Sequence, residues 1–151
     1  MQFTRKAMLA IDVSRPHLQE SLHVVRRMEF LNHAELHLVF VFQTMSMNLG
    51  FGEFPYVYPV PADQVAIQQS TEALIADLGR NCFGPDFKGT LIPRCLFGDD
   101  PKYRMTEFIN EKGVDLVVMW ARQKRGMFES SFSNYVSKNT NANVLVLKQP
   151  S

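Results

Sequence analysis

Cysteine is scarce in this chain: Cys82 and Cys95 are the only two among 151 residues. Their separation fits neither a zinc-site pair nor a C-x-x-C redox motif, so both read as reduced thiols near core surfaces, with a disulfide as the lesser alternative. Net charge is nearly absent as well, +1 from 16 basic and 15 acidic residues. That leaves no electrostatic footprint for nucleic acid or an anionic membrane. No apolar run approaches the ~18 residues of a membrane span. The N-terminal MQFTRKAML lacks a signal-peptide cleavage pattern, so the expected location is the cytoplasm. Neither an internal repeat nor a low-complexity tail is visible.

What remains is an ordinary globular composition, 46% hydrophobic and 21% charged, long enough to bury a core without staples. One domain over residues 1–151 is expected. Lys6–Val13 is an unbroken apolar run ending around Asp12, the pattern of a strand covered on both faces. Ser14 offers a helix cap and Pro16 suits a first turn. Leu18, Leu22, Val25, Met28 and Leu31 follow at helical spacing and predict a helix over about 16–31. Glu35–Phe42, ELHLVFVF, predicts a second strand, and strand–helix–strand makes a right-handed βαβ unit.

Gln43–Pro61 breaks the pattern with Gly50, Gly52, Pro55, Pro59 and Pro61 among methionines and aromatics. It reads as a long irregular loop, either a lid on its own domain or a cover for a pocket or partner. Asp63 is expected to cap a helix running to about Asn81, ended by Gly79 and Gly84-Pro85, with Val65, Ile67, Leu74, Ile75 and Leu78 inward. Thr90–Phe97 predicts a third strand, placed at an edge because Pro93 lacks a ladder donor. Asp100-Pro101 starts a helix that buries Met105, Phe108 and Ile109 and ends at Gly113. Val114–Trp120 is a fourth apolar strand. A charged loop, Arg122–Gly126, and a helix over about Ser130–Thr140 lead to a fifth strand, Asn143–Lys148. This order predicts a single three-layer α/β domain, a five-stranded parallel sheet with helices on both faces.

Four features taken together give the chain a resemblance: KAMLAIDVS with Asp12 at its tip, ELHLVFVF, the turn GDDP at 98–101, and DLVVMWARQ at 115–123 followed by a helix and NVLVL. The chain resembles the universal stress protein family over nearly its whole length. The resemblance implies strand order 3-2-1-4-5, Asp12 and Met119 on adjacent strands at the switch point, and a homodimer through the last strand, Val144–Leu147. ATP-binding members carry G-x2-G-x9-G-[ST] after strand four, where glycines let the backbone approach the phosphates. Here that spacing falls on Trp120, Gln123, Ser133 and Asn134, and Gly126 lies off it. The chain therefore looks like the universal stress protein A branch, which lacks the motif and is not known for binding ATP.

The resemblance implies no cofactor, no catalysis, and a stress-response role exercised through protein contacts. The alternative is a regulator binding AMP or ATP in an altered pose, with Asp12, Val41, Met119, Ser133 and Asn134 lining the crevice. Each has a plainer reading too: Asp12 as a carboxylate fixed at a strand–helix junction, Val41 and Met119 as core. Arg122, Lys124 and Arg125 could gather an anion with Ser130, Ser131 and Ser133, or could simply be a solvated loop. A phosphate hydrolase built on that loop would have no placed general base. His17, His23, His33 and His37 show no metal spacing, and the serines lack a G-x-S-x-G context. A phospho-receiver is rejected, because strands two and three end in Phe42 and Gly98 rather than in acids.

Overall fold

The computed structural model describes residues 5–12, 18–47, 56–121 and 127–148. Five parallel strands form the sheet: β1 (Lys6–Ala10), β2 (Glu35–Gln43), β5 (Thr90–Gly98), β6 (Leu116–Ala121) and β7 (Asn143–Lys148). Their order is β5-β2-β1-β6-β7, which is the expected 3-2-1-4-5. Register follows the apolar runs: Met8 pairs with His37 and with Val117, and β2 pairs with β5 along nine residues. Alternate side chains of these strands fall into two apolar clusters, one per face. Leu9, Leu36, Leu38 and Val118 meet helices α1 (Leu18–Arg26) and α2 (Pro61–Phe83). Met8, Val39, Val117 and Met119 meet α3 (Pro101–Lys112) and α4 (Met127–Asn139). That segregation follows from right-handed crossovers: two run one way from β1 and two run the other way.

Pro93 lies in β5 at the sheet edge, as its missing donor requires. Asp100 caps α3 by accepting from the Lys102 N–H, with Pro101 in the first turn. Gly113 closes α3 in the left-handed region at φ 67°. Cys82 and Cys95 are buried free thiols, and burial pushes both above the ordinary thiol range.

Several expectations are corrected. The predicted helix over 16–31 is α1 followed by a separate 3-10 turn at Glu29–Leu31, with Met28 extended between them. The break lets both Met28 and Leu31 fold onto the cluster that Val25 already joins. In α2 the N-cap is Val60 and not Asp63. Pro61 supplies the first turn, and Gln64 reaches back to the Pro59 carbonyl at 2.8 Å. Gly79 does not stop α2, which runs on to Phe83 and ends at Gly84, the other expected stop. A Cβ on Gly79 would lie 3.0 Å from Leu38 Cδ1, so the glycine serves close approach of helix to sheet. Val65 and Leu74 are exposed, at 55% and 48%: the buried residues of α2 are Ile75, Gly79, Cys82 and Phe83, so Val65 lies before the buried stretch and Leu74 lies off the buried face. The fourth strand begins at Leu116, after Val114 closes the α3 end on the Ile109 carbonyl. The last helix starts at Met127 rather than Ser130.

The segment read as irregular holds two short strands, β3 (Met45–Met47) and β4 (Tyr56–Tyr58), paired antiparallel. The expected roles of Val13, Ser14, Pro16, Gly50, Gly52, Pro55 and Arg122–Gly126 lie outside the described residues.

The two glycines should separate by mechanism. Gly113→Ala meets no neighbour and strains only the backbone, so it should cost about 1 kcal/mol. Gly79→Leu must displace α2 and should cost about 1–3 kcal/mol or more. Urea denaturation of both variants checks the ranking.

Candidate functional site

In an open α/β sheet a ligand crevice opens at the carboxyl ends of the strands, where crossovers diverge. Here that point lies between β1 and β6. Asp12 stands there, two residues past the end of β1 and half-buried, just after Ile11 donates to the Val39 carbonyl at 2.9 Å. Of the other expected residues, Val41 is half-buried on β2 opposite Leu96. Met119 on β6 is only 7% exposed and pairs with Val146. Both belong to the apolar cluster beneath α3 and α4, with β1 between their strands. Met119 is buried within that cluster and Val41 packs half-buried against it. Ser133 is half-buried and Asn134 exposed on α4.

Trp120 packs on the opposite face from Met119, against the cluster that α1 and α2 cover, alongside Leu145 and Leu147. Its indole Nε1 is buried without a hydrogen-bond partner among the described residues. Gln123 and the basic loop lie outside the described residues, as do the side chains of Ser130 and Ser131. No group of three or more metal-type side chains comes together among the described residues. A shallow open depression lined by Arg5, Asp115, Leu116 and Asn143 lies at the opposite, amino end of the strands.

Two polar clusters escaped the sequence reading. The first joins the β3–β4 hairpin to the turn after β5. The Asp99 carboxylate accepts from Thr44 Oγ1 and, at 2.9 Å, from Ser46 Oγ. Gln43 Nε2 donates to the Asp99 carbonyl at 3.1 Å, and the Thr44 N–H donates to the Gly98 carbonyl at 2.9 Å. The Thr44 hydroxyl bond, and then that of Ser46, hold the Asp99 carboxyl below its ordinary range. The clamp thus favours the ionised form. The available signal was a second aspartate in GDDP that no helix start required.

The second cluster lies under α3. His37, 2% exposed, holds Nε2 3.1 Å from Glu35 Oε2. Glu35 and His37 share a face because they are two apart on one strand. The His37 ring meets the Phe108 ring edge-on at 5.5 Å, and the Arg94 guanidinium lies 5.9 Å from the same Phe108 ring. Burial pushes the imidazole below its ordinary range, against the opposing pull of Glu35. The hydrogen bond from His37 lowers Glu35. A lone histidine inside ELHLVFVF was the signal here.

A domain of this topology, whose crossovers diverge between β1 and β6, belongs to the doubly wound class of α/β folds. The family model described as the universal stress protein family matches residues 4–148, and the chain belongs to that family. No curated protein matches it. Among solved structures, a protein of the universal stress protein family from Burkholderia pseudomallei is 18% identical, with a TM-score of 0.60 over 94% of each chain. A universal stress protein in complex with cAMP is 14% identical, TM-score 0.57, over 95% of each chain. The universal stress protein from Archaeoglobus fulgidus in complex with dAMP is 13% identical, TM-score 0.56, over 99% of this chain and 100% of that one. At these identities the likeness is one of fold.

The Asp99 clamp predicts a local effect. Asp99→Asn weakens both hydroxyl contacts, so hydrogen exchange should quicken at the Thr44 and Ser46 amides while the β2 amides Leu36–Val39 stay protected. Since the clamp depresses the carboxyl, its contribution is present above about pH 4 and lost as pH falls through the folded-state value. Wild-type exchange should then approach that of the variant.

Proposed function

We propose that this chain is a universal stress protein of the branch without the ATP-binding glycine motif, a cytoplasmic, non-catalytic homodimer acting through protein contacts. The observation that carries the reading is the outer edge of the sheet. β7 is the terminal strand, Val146 on it is 46% exposed, and Val144, Leu145 and Leu147 are only half-buried. A six-residue terminal strand with four apolar residues at its centre is a template for pairing with a second copy. The absence of triphosphate binding is supported by side chains at all three glycine positions, Trp120, Gln123 and Ser133, which obstruct close backbone approach.

A second reading is favoured by the relatives in complex with cAMP and dAMP. Those ligands carry a single phosphate and need less bare backbone than a triphosphate does. On that reading the crevice beside Asp12 and Asn134 takes an AMP-like nucleotide, with Ser133 near its phosphate and no ATP.

Light scattering should give a dimer at micromolar concentration, and Val146→Lys should yield a folded monomer. A monomeric wild type removes the dimer from the proposal. Calorimetric titration with ATP, ADP and AMP plus magnesium, followed also by fluorescence of the single tryptophan, should give no response to ATP. A micromolar ATP affinity overturns the main reading, and a response to AMP alone establishes the second.

A further inference from the structure

His37 is a buried ionisable group that neither reading uses, and its surroundings are lopsided. An ionised Glu35 can only accept, so His37 carries its proton on Nε2 and keeps a lone pair on Nδ1. Nδ1 is buried with no hydrogen-bond partner among the described residues, and so is Nε of the neighbouring Arg94. We infer that His37 is a proton sensor for the seating of α3: protonating its buried ring loosens that helix from β2 and β5.

Two penalties meet when Nδ1 takes a proton. A new buried N–H donor appears with nothing to accept from it. A positive charge also appears beside two others, Arg94 on β5 and Lys112 on α3, both of which disfavour it. Glu35 on the same strand opposes them, and Lys6 on β1 draws on Glu35 from the other side. Phe108 transmits the strain, because one ring of α3 touches both His37 and Arg94. Lifting α3 lets water reach Nδ1 and separates the cations. The sign is fixed by burial. An unfolded or opened chain takes up the proton near the ordinary value of about 6.5, and the closed chain does so only lower. Stability is therefore intact above about pH 6.5 and falls as pH drops below it, by at most about tenfold in the equilibrium per pH unit, until the closed form itself titrates.

The experiment is an NMR titration of the histidine Cε1–H signals in the intact chain from pH 8 to 5, with amide exchange measured across the same range. His37 should titrate below 6.5. Exchange at Met105–Ile109, corrected for its intrinsic pH dependence, should quicken relative to Ile75–Phe83 as pH falls to 5.5. In His37→Phe that acceleration should vanish, while Glu35→Gln should move the His37 midpoint further down. A His37 midpoint at or above 6.5 overturns the inference, and that measurement needs no variant. So does acceleration that persists in His37→Phe, or a midpoint unmoved in Glu35→Gln. None of these outcomes bears on the dimer or on nucleotide binding.

Discussion

The structure depends on one constraint: a parallel sheet must be covered on both faces. Each crossover lays a helix on the sheet, so the central strands β1, β2 and β6 have no solvent side. Ala7, Met8 and Leu9 are successive residues, and all three have no exposed surface. Odd and even positions feed different clusters, so shifting register by one residue would exchange the two cores at once. Polar groups on the strands collect at the strand ends or in hydrogen-bonded pairs. The Asp99 clamp is the first case and the Glu35–His37 pair is the second.

The same constraint explains what was legible. Continuous apolar runs mark doubly covered strands, so all five core strands and their order with helices could be read from residue types. Asp100-Pro101 and Gly113 carry local chemistry that fixes α3 at both ends. Legibility failed where local pattern competes with tertiary geometry. Gly79 resembles a helix stop until the distance to Leu38 shows that it admits the helix to the sheet. Val65 and Leu74 were expected inward with Ile75, but the buried face of α2 runs through Ile75, Gly79 and Cys82, and apolar residues alone do not tell which of two neighbouring faces is covered. The β3–β4 pair is three residues per strand, too short for period-2 alternation to stand out.

Candidate site residues were legible in proportion to how far they belong to the frame. Asp12 lies at the switch point because β1 ends there. Val41 and Met119 both meet the α3–α4 cluster, Met119 within it and Val41 half-buried against it. Asp99 was invisible because its partners, Thr44 and Ser46, lie more than fifty positions away, and only the side-by-side pairing of β2 with β5 brings them together. His37 was visible as an anomaly but not as a pair. Its meaning comes from Arg94 and Phe108, which arrive from two other elements.

The two edges of the sheet close the argument about function. β5 carries Pro93, packs along α2 and leads into the clamped turn at Asp99, so its edge is blunted by backbone chemistry and by cover. β7 has neither proline nor bulge, and its inward residues, Leu145 and Leu147, share a half-covered face with Trp120. A large indole there does two things at once. It fills a position that a phosphate cradle would leave bare, and it extends the apolar surface running out to the free edge. On the proposed reading, that free edge is the surface that meets a second copy of the chain.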